Sequence, residues 1–150
     1  LALVLVALVL SLAGDVILML PINGFVYGLA AFLLALLVYA TAFIREGAPK
    51  AWHAVALVIL GTGLLLTLRP LWKNLRHLRI PVAVYGAMSC ATIVAALVRG
   101  NSVAIAGAVL FTVSDTLLAY ARFSDHHVPY PFELGSYFVS QLLLAMSLET

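Results

Sequence analysis

Six runs of almost unbroken apolar residues, at about 1–20, 25–44, 52–69, 80–98, 102–122 and 133–149, leave this chain few folds to choose from. Pro, Gly and charged residues punctuate the runs. A helix needs roughly 20 residues to cross the hydrocarbon of a bilayer, with about 17–25 tolerated. Backbone groups in lipid must find partners within their own segment, which selects helices, and the short alternating segments of a β-barrel are absent. The chain is 65% hydrophobic and 9% charged over 150 residues. Soluble domains are far more polar, and one core of this size cannot hide so much apolar surface. The expected fold is all-α: a polytopic transmembrane helix bundle with six visible spans. The connections are short, and no linker or repeat divides residues 1–150, so one domain is expected. The first run lacks a basic leader and carries Asp15, so it reads as a membrane helix rather than a signal peptide. It begins without Met, as expected of a chain truncated at its N-terminus.

Alternating spans divide the basic residues between two faces. Arg69, Lys73, Arg76, Arg79 and Arg122 fall on one, and Arg45, Lys50 and Arg99 on the other. The positive-inside rule assigns the richer face to the cytoplasm. The cluster around Trp72 suits an anionic headgroup layer, although setting topology alone would account for it. The net charge of +2 sits in short loops, so no nucleic-acid partner is expected. The single cysteine, Cys90, cannot form an internal disulfide. His53, His77, His126 and His127 lie at loops or ends without a ligand pattern, so no metal or other cofactor is expected.

Two acids lie deep within spans, Asp15 and Asp115; Glu46, Asp125, Glu133 and Glu149 fall in loops or at helix ends. A charge at mid-membrane costs about 2.5–3.5 kcal/mol on insertion scales, so an intramembrane acid points to function by default. Asp15 is six residues before Pro21, and Asp115 is seven before Arg122. At about 1.5 Å per residue, both lie roughly 9–10 Å inside the same, more basic face. Tyr85, Tyr137 and Gln141 enter from that end, with Tyr137 and Gln141 sharing a face as i and i+4. Ser11 is one turn from Asp15, and Ser114 adjoins Asp115. One polar pocket open to the cytoplasmic leaflet is expected. The bland alternative is helix–helix glue, since hydroxyl and amide groups often serve only that purpose. Two acids at one depth with no buried Lys or Arg beside them fit glue less well. Tyr27, Tyr39 and Tyr120 lie nearer span ends, where an aromatic belt suits them. The spacing in "GFVYG" (24–28) suits close helix packing.

The segments "SLAGDVILML" (11–20), "GLAAFLLALLVYATAF" (28–43), "PVAVYGAMS" (81–89), "GAVLFTVSDTLLAYARF" (107–123) and "SYFVSQLLLAMS" (136–147) together resemble the YhhN-like lysoplasmalogenase family of membrane proteins. The order of the GD, SD and Y-x-x-x-Q elements matches along nearly the whole chain. That family is described with about eight helices, a number the resemblance supplies. Phe32 and Tyr39 align with the family pattern F-x-x-x-H-x-x-Y, which brings Tyr39 into the substrate-binding set. Leu36 stands in the histidine place, which bears on rate, on substrate and on whether the chain is active at all.

The resemblance implies hydrolysis of the vinyl ether bond of a lysoplasmalogen to a fatty aldehyde and a glycerophospho-alcohol. Such a bond is cleaved by protonation at carbon, giving an oxocarbenium ion that water captures, and this needs an acid and an anion, as in glycoside hydrolysis. Asp15 and Asp115 can divide those roles, with Asp115 favoured as the acid. Ser11, Tyr39, Tyr85, Ser114, Tyr137 and Gln141 would position the substrate or water, and Arg69, Arg76, Arg79 and Arg122 would meet the head group. The expected partners are a lysophospholipid and the bilayer, and the expected home is a bacterial inner (plasma) membrane. Two alternatives use the same residues: a non-catalytic lipid-binding protein, and a small-solute or proton transporter. A transporter fits less well, because the polar residues gather in one leaflet half.

Overall fold

The computed structural model describes residues 2–20, 24–124 and 130–147, and for 130–133 the backbone. Residues 21–23, Asp125, His126, His127, Glu149 and the side chain of Glu133 lie outside that description. The described residues form α1 (Ala2–Met19), α2 (Phe25–Arg45), α3 (Ala51–Leu75), a short 3₁₀ turn (Arg76–Leu78), α4 (Arg79–Arg99), α5 (Ser102–Phe123) and α6 (Tyr130–Met146). The all-helical class is as the apolar runs predict.

The helix ends follow from local chemistry. Gly100 takes a left-handed conformation, φ 76°, and its N–H bonds the carbonyls of Ala96 and Leu97, closing α4. Glycine adopts that geometry without steric cost. The next residue, Asn101, accepts from the Ala104 N–H at 2.9 Å and starts α5, as a side-chain cap does. The turn from α4 to α5 therefore needs almost no loop. At the other end, α3 overruns its expected boundary. Pro70 reads as a stop after Arg69, but the helix continues through it to Leu75. Proline forfeits one backbone bond there. Beyond it, Leu71 and Leu75 are both about 1% exposed, in a core shared with Leu68 and Val82. That packing outweighs the lost bond, so the expected "PLWKNLRHLRI" loop is mostly helix. Its true turn is at Arg76, where φ is 47°.

The packing is a ring with one helix outside it. Among the described residues α1 packs on α2, α2 on α4, α4 on α5, α5 on α6, and α6 returns to α1. Among the described residues helix α3 packs on α4 and α5 but on no other long helix. Small residues bring the ring members close. A Cβ at Gly28 would lie 2.7 Å from Leu18, and one at Gly14 would lie 2.7 Å from the Phe32 ring. This supports the packing reading of "GFVYG". At Gly107 an added Cβ would lie 2.9 Å from Leu144, locking α5 to α6.

The exterior carries large apolar side chains on every long helix, including Val9, Leu34, Val58, Leu65, Val84, Val113 and Leu142. Water would not tolerate so broad a surface, and the chain is an integral membrane protein. Four stretches are long and apolar enough to cross a bilayer: Ala2–Met19, Phe25–Arg45, Ala51–Arg99 and Ser102–Phe123. The third is α3, the short turn and α4 taken together, and α4 folds back on α3. The apolar part of α6, Leu134–Met146, is shorter. Length and apolarity thus mark four candidate crossings among the described residues, where six were expected.

Candidate functional site

The ring positions its polar groups by pairing neighbours that are remote in sequence. On α6, Tyr137 donates its hydroxyl hydrogen to Asp15 of α1 at 2.5 Å. On α4, the buried Tyr85 donates to Asp115 of α5 at 2.7 Å. Each carboxyl therefore has a phenol on the adjoining helix, and both pairs tie seams of the ring. Hydrogen bonds to an ionised group are stronger than neutral ones, and low local polarity strengthens them further.

Both carboxyls open into one cavity of about 480 Å³ between α1, α2, α5 and α6. Asp15, Ser114, Asp115, Arg122 and Tyr137 supply its polar lining, and Leu12, Phe32 and Phe138 are among its apolar walls. Two acids 100 positions apart in the sequence thus share one space. Arg122 is exposed, and its guanidinium lies 4.2 Å from the Phe25 ring centroid. That stacking places a cation by the cavity. Among the described residues no group of three or more His, Cys, Asp or Glu is placed to hold one metal ion.

Two of the rings that line this space, Phe32 and Tyr137, belong to an aromatic cluster. Phe32, Phe111 and Tyr137 form a triangle with ring centroids 6.0–6.1 Å apart. On α6, one turn beyond Tyr137, a second polar level begins. Tyr39, fully buried, donates to Gln141 Oε1 at 3.3 Å, and buried Ser11 lies beside Tyr39. The aromatic-belt reading of Tyr39 is therefore corrected: its side chain points into the ring, not toward a membrane interface. Ser11, Tyr39 and Gln141 are absent from the cavity lining, so the expected single pocket divides into two levels. Leu36, the residue at the expected histidine place, is 2% exposed in the ring core and does not line the carboxyl cavity either.

The other head-group candidates stand apart. Arg69 and Arg76 are exposed. Arg79 donates to the Trp72 carbonyl at 2.8 Å and lies over the Trp72 ring, so it braces the α3–α4 turn. Tyr120 is also a brace, donating to the Thr67 carbonyl of α3 at 3.1 Å. Arg99, at the other end of the bundle, forms an ion pair with Glu46 at 2.7 Å.

Sequence reasoning missed a second cavity, of about 390 Å³, between α3, α4 and α5. Asp115 lines this one as well, here beside Tyr85, and a gap of about 50 Å³, also lined by Asp115 and Tyr85, lies between the two spaces. The signal for it was faint: Thr112 and Thr116 flank Asp115 on the face of α5 turned toward α3.

Comparison with known proteins gives these residues a family. The chain is 37% identical over 149 residues to human lysoplasmalogenase TMEM86B, covering 94% of this chain and 61% of that protein. It is 39% identical over 128 residues to a lysoplasmalogenase of Mycobacterium bovis, covering 78% of this chain and 48% of that protein. The chain thus spans about half to three-fifths of the length of the curated relatives it matches. No solved structure matches. The YhhN family pattern extends over residues 1–148, and the chain belongs to the YhhN family.

Proposed function

We propose that this protein hydrolyses the vinyl ether bond of lysoplasmalogen-type lysolipids, with Asp15 and Asp115 as its acid–base pair. The observation that carries the reading is the cavity both carboxyls share, with Ser114 and Tyr137 beside them, apolar walls and Arg122 in its lining. Curated relatives named lysoplasmalogenase support the choice of substrate.

The chemistry balances with two carboxyls and one water. Asp115 gives its proton to the outer vinyl carbon, and the ether oxygen shares its electron pair with the inner carbon to form an oxocarbenium ion. Anionic Asp15 stabilises that cation, then takes a proton from water as the water oxygen bonds the inner carbon. The hemiacetal so formed collapses. Its hydroxyl proton returns to Asp115, the carbonyl forms, and the glycerol oxygen leaves with the proton from Asp15. One water is consumed, and one aldehyde and one alcohol are released. Tyr85 and Tyr137 hold the carboxyls in place, and Arg122 meets the phosphate as a charge partner. Asp115 takes the acid role because it lines every cavity described.

In the same reading all six helices cross a bacterial inner (plasma) membrane. The carboxyl end of the ring opens to the cytoplasmic leaflet, as the five-to-three division of basic residues favours. The test is turnover by the purified protein in lipid vesicles, with free aldehyde quantified from a lysoplasmalogen. Release of aldehyde that is lost in Asp15→Asn and Asp115→Asn supports the reading; variants as fast as the parent overturn it.

A further inference from the structure

The cavity between α3, α4 and α5 has a shape and a chemistry of its own. Its α4 lining runs from Val82 to Ile93, and its α3 lining from Ile59 to Leu71. At about 1.5 Å per residue, that is a slot roughly 16–18 Å long, parallel to the helices. One leaflet of hydrocarbon is half of a core about 30 Å thick, so the slot matches the reach of one lipid chain.

Its polar lining is already committed. Thr67 donates to Gly63 at 2.6 Å, Thr112 to Ala108 at 3.0 Å, Thr116 to Thr112 at 2.8 Å and Ser89 to Tyr85 at 3.1 Å, each to a carbonyl one turn back. The Cys90 thiol faces the Leu60 carbonyl at 3.6 Å, and Tyr85 is bound to Asp115. With these hydroxyls tied to backbone, the walls offer a guest methyl and methylene groups. Such a surface suits a hydrocarbon chain, and it suits a chain of water or an ion poorly. Among the described residues Asp115 is the only carboxyl in the lining. It also lines the carboxyl cavity and the gap between the two.

The geometry points to a divided lipid site: the single hydrocarbon chain of the substrate lies in the α3–α4–α5 slot, its polar end lies in the α1–α2–α5–α6 cavity, and the bond between them passes Asp115. This rests on the proposed hydrolysis for the identity of the bond, but chain placement can be read without turnover. Gly63 lines the slot, and a Cβ added there meets nothing within 4 Å. Gly63→Leu therefore starts from an unhindered Cβ and puts a side chain into the slot. Gly61 is equally open but does not line the slot, so Gly61→Leu is the matched control.

Two measurements on the full chain in nanodiscs decide the matter. The first uses an alkyl-ether lysophospholipid, which lacks the vinyl bond, carrying a diazirine at the chain terminus. After illumination, label mapped by mass spectrometry to residues 59–64 and 90–93 is the expected result. Label confined to α1, α2 and α6, or no saturable label in the slot, overturns the assignment. The second is the chain-length profile of lysoplasmalogen turnover. Gly63→Leu should lower kcat/KM for a long chain by about tenfold or more, the scale at which apolar pockets discriminate. It should leave a short chain unchanged, and Gly61→Leu should match the parent. An unshifted profile overturns the slot assignment. Absence of aldehyde from the parent protein would overturn the hydrolysis and leave the labelling result to decide chain placement alone.

Discussion

Tyr137 and Asp15 are separated by 122 positions in sequence, yet their oxygens meet at 2.5 Å where α6 closes the ring on α1. The bond joins the first helix to the last. It is therefore both a closure of the fold and a support for a carboxyl in the candidate site, and the two roles can be separated by substitution.

Tyr137→Phe removes the hydroxyl and keeps the ring that packs against Phe32 and Phe111. The expected stability loss is about 1 kcal/mol, the usual net worth of a hydrogen bond, read as a small shift in thermal unfolding in detergent. If the tyrosine also orients Asp15, lysoplasmalogen turnover falls by about tenfold or more, the scale of losing part of an acid–base arrangement. A variant that unfolds earlier but turns over normally would confine Tyr137 to ring closure.

Substituting either aspartate with asparagine keeps the shape and a hydrogen-bond acceptor for its tyrosine. Neither Asp15→Asn nor Asp115→Asn can shuttle a proton, so each should lower kcat by about 10²–10⁴-fold. Circular dichroism should show unchanged helix content. The double variant should be scarcely slower than the worse single one, because groups that act as a unit are not additive. Independent, multiplying losses would argue against a shared step.

Arg122→Ala addresses recognition rather than chemistry. The guanidinium lies by the cavity, stacked on Phe25. Its loss should raise KM severalfold for a phosphate-bearing lysolipid with kcat nearly unchanged, the signature of lost uniform binding. The KM effect should shrink with added salt, as screening predicts for an exposed charge.

The glycines of the α1–α2 seam give a stability test independent of any activity. A Cβ at Gly28 would press on Leu18 at 2.7 Å, and Gly61 has open space around it. Gly28→Leu should destabilise by about 1–3 kcal/mol, the cost of overpacking, and Gly61→Leu should be neutral. Thermal unfolding of the two variants in one detergent makes the comparison.

Spacing along the helices was legible in the sequence, and the facing of side chains was not. Counting residues from Pro21 and Arg122 placed Asp15 and Asp115 at one level, and the structure puts them in one cavity. The same counting misread Tyr39, because depth does not tell which face of a helix a side chain takes. In a soluble helix the polar stripe would settle that. Here lipid-facing residues are as apolar as the core, as Leu34 and Leu36 on α2 illustrate, and the stripe vanishes. Pro70 misled for a related reason: its local cost is readable, but the packing of Leu71 and Leu75 that outweighs it is a tertiary fact. The α3–α4–α5 slot was invisible because its walls come from three helices whose arrangement no local pattern encodes.

The exclusion of α3 from the ring separates two kinds of heritable change. The spacing of the carboxyls is set by helices that close on one another, so a shift in any one is resisted by the rest. The width of the slot is set on one side by a helix that, among the described residues, packs on α4 and α5 alone of the long helices. Substitutions accumulating along α3 can therefore alter which chains are admitted while the acid pair stays where it is. Diversification within such a scaffold would be expected to concentrate on α3 and to spare the seams of α1, α5 and α6.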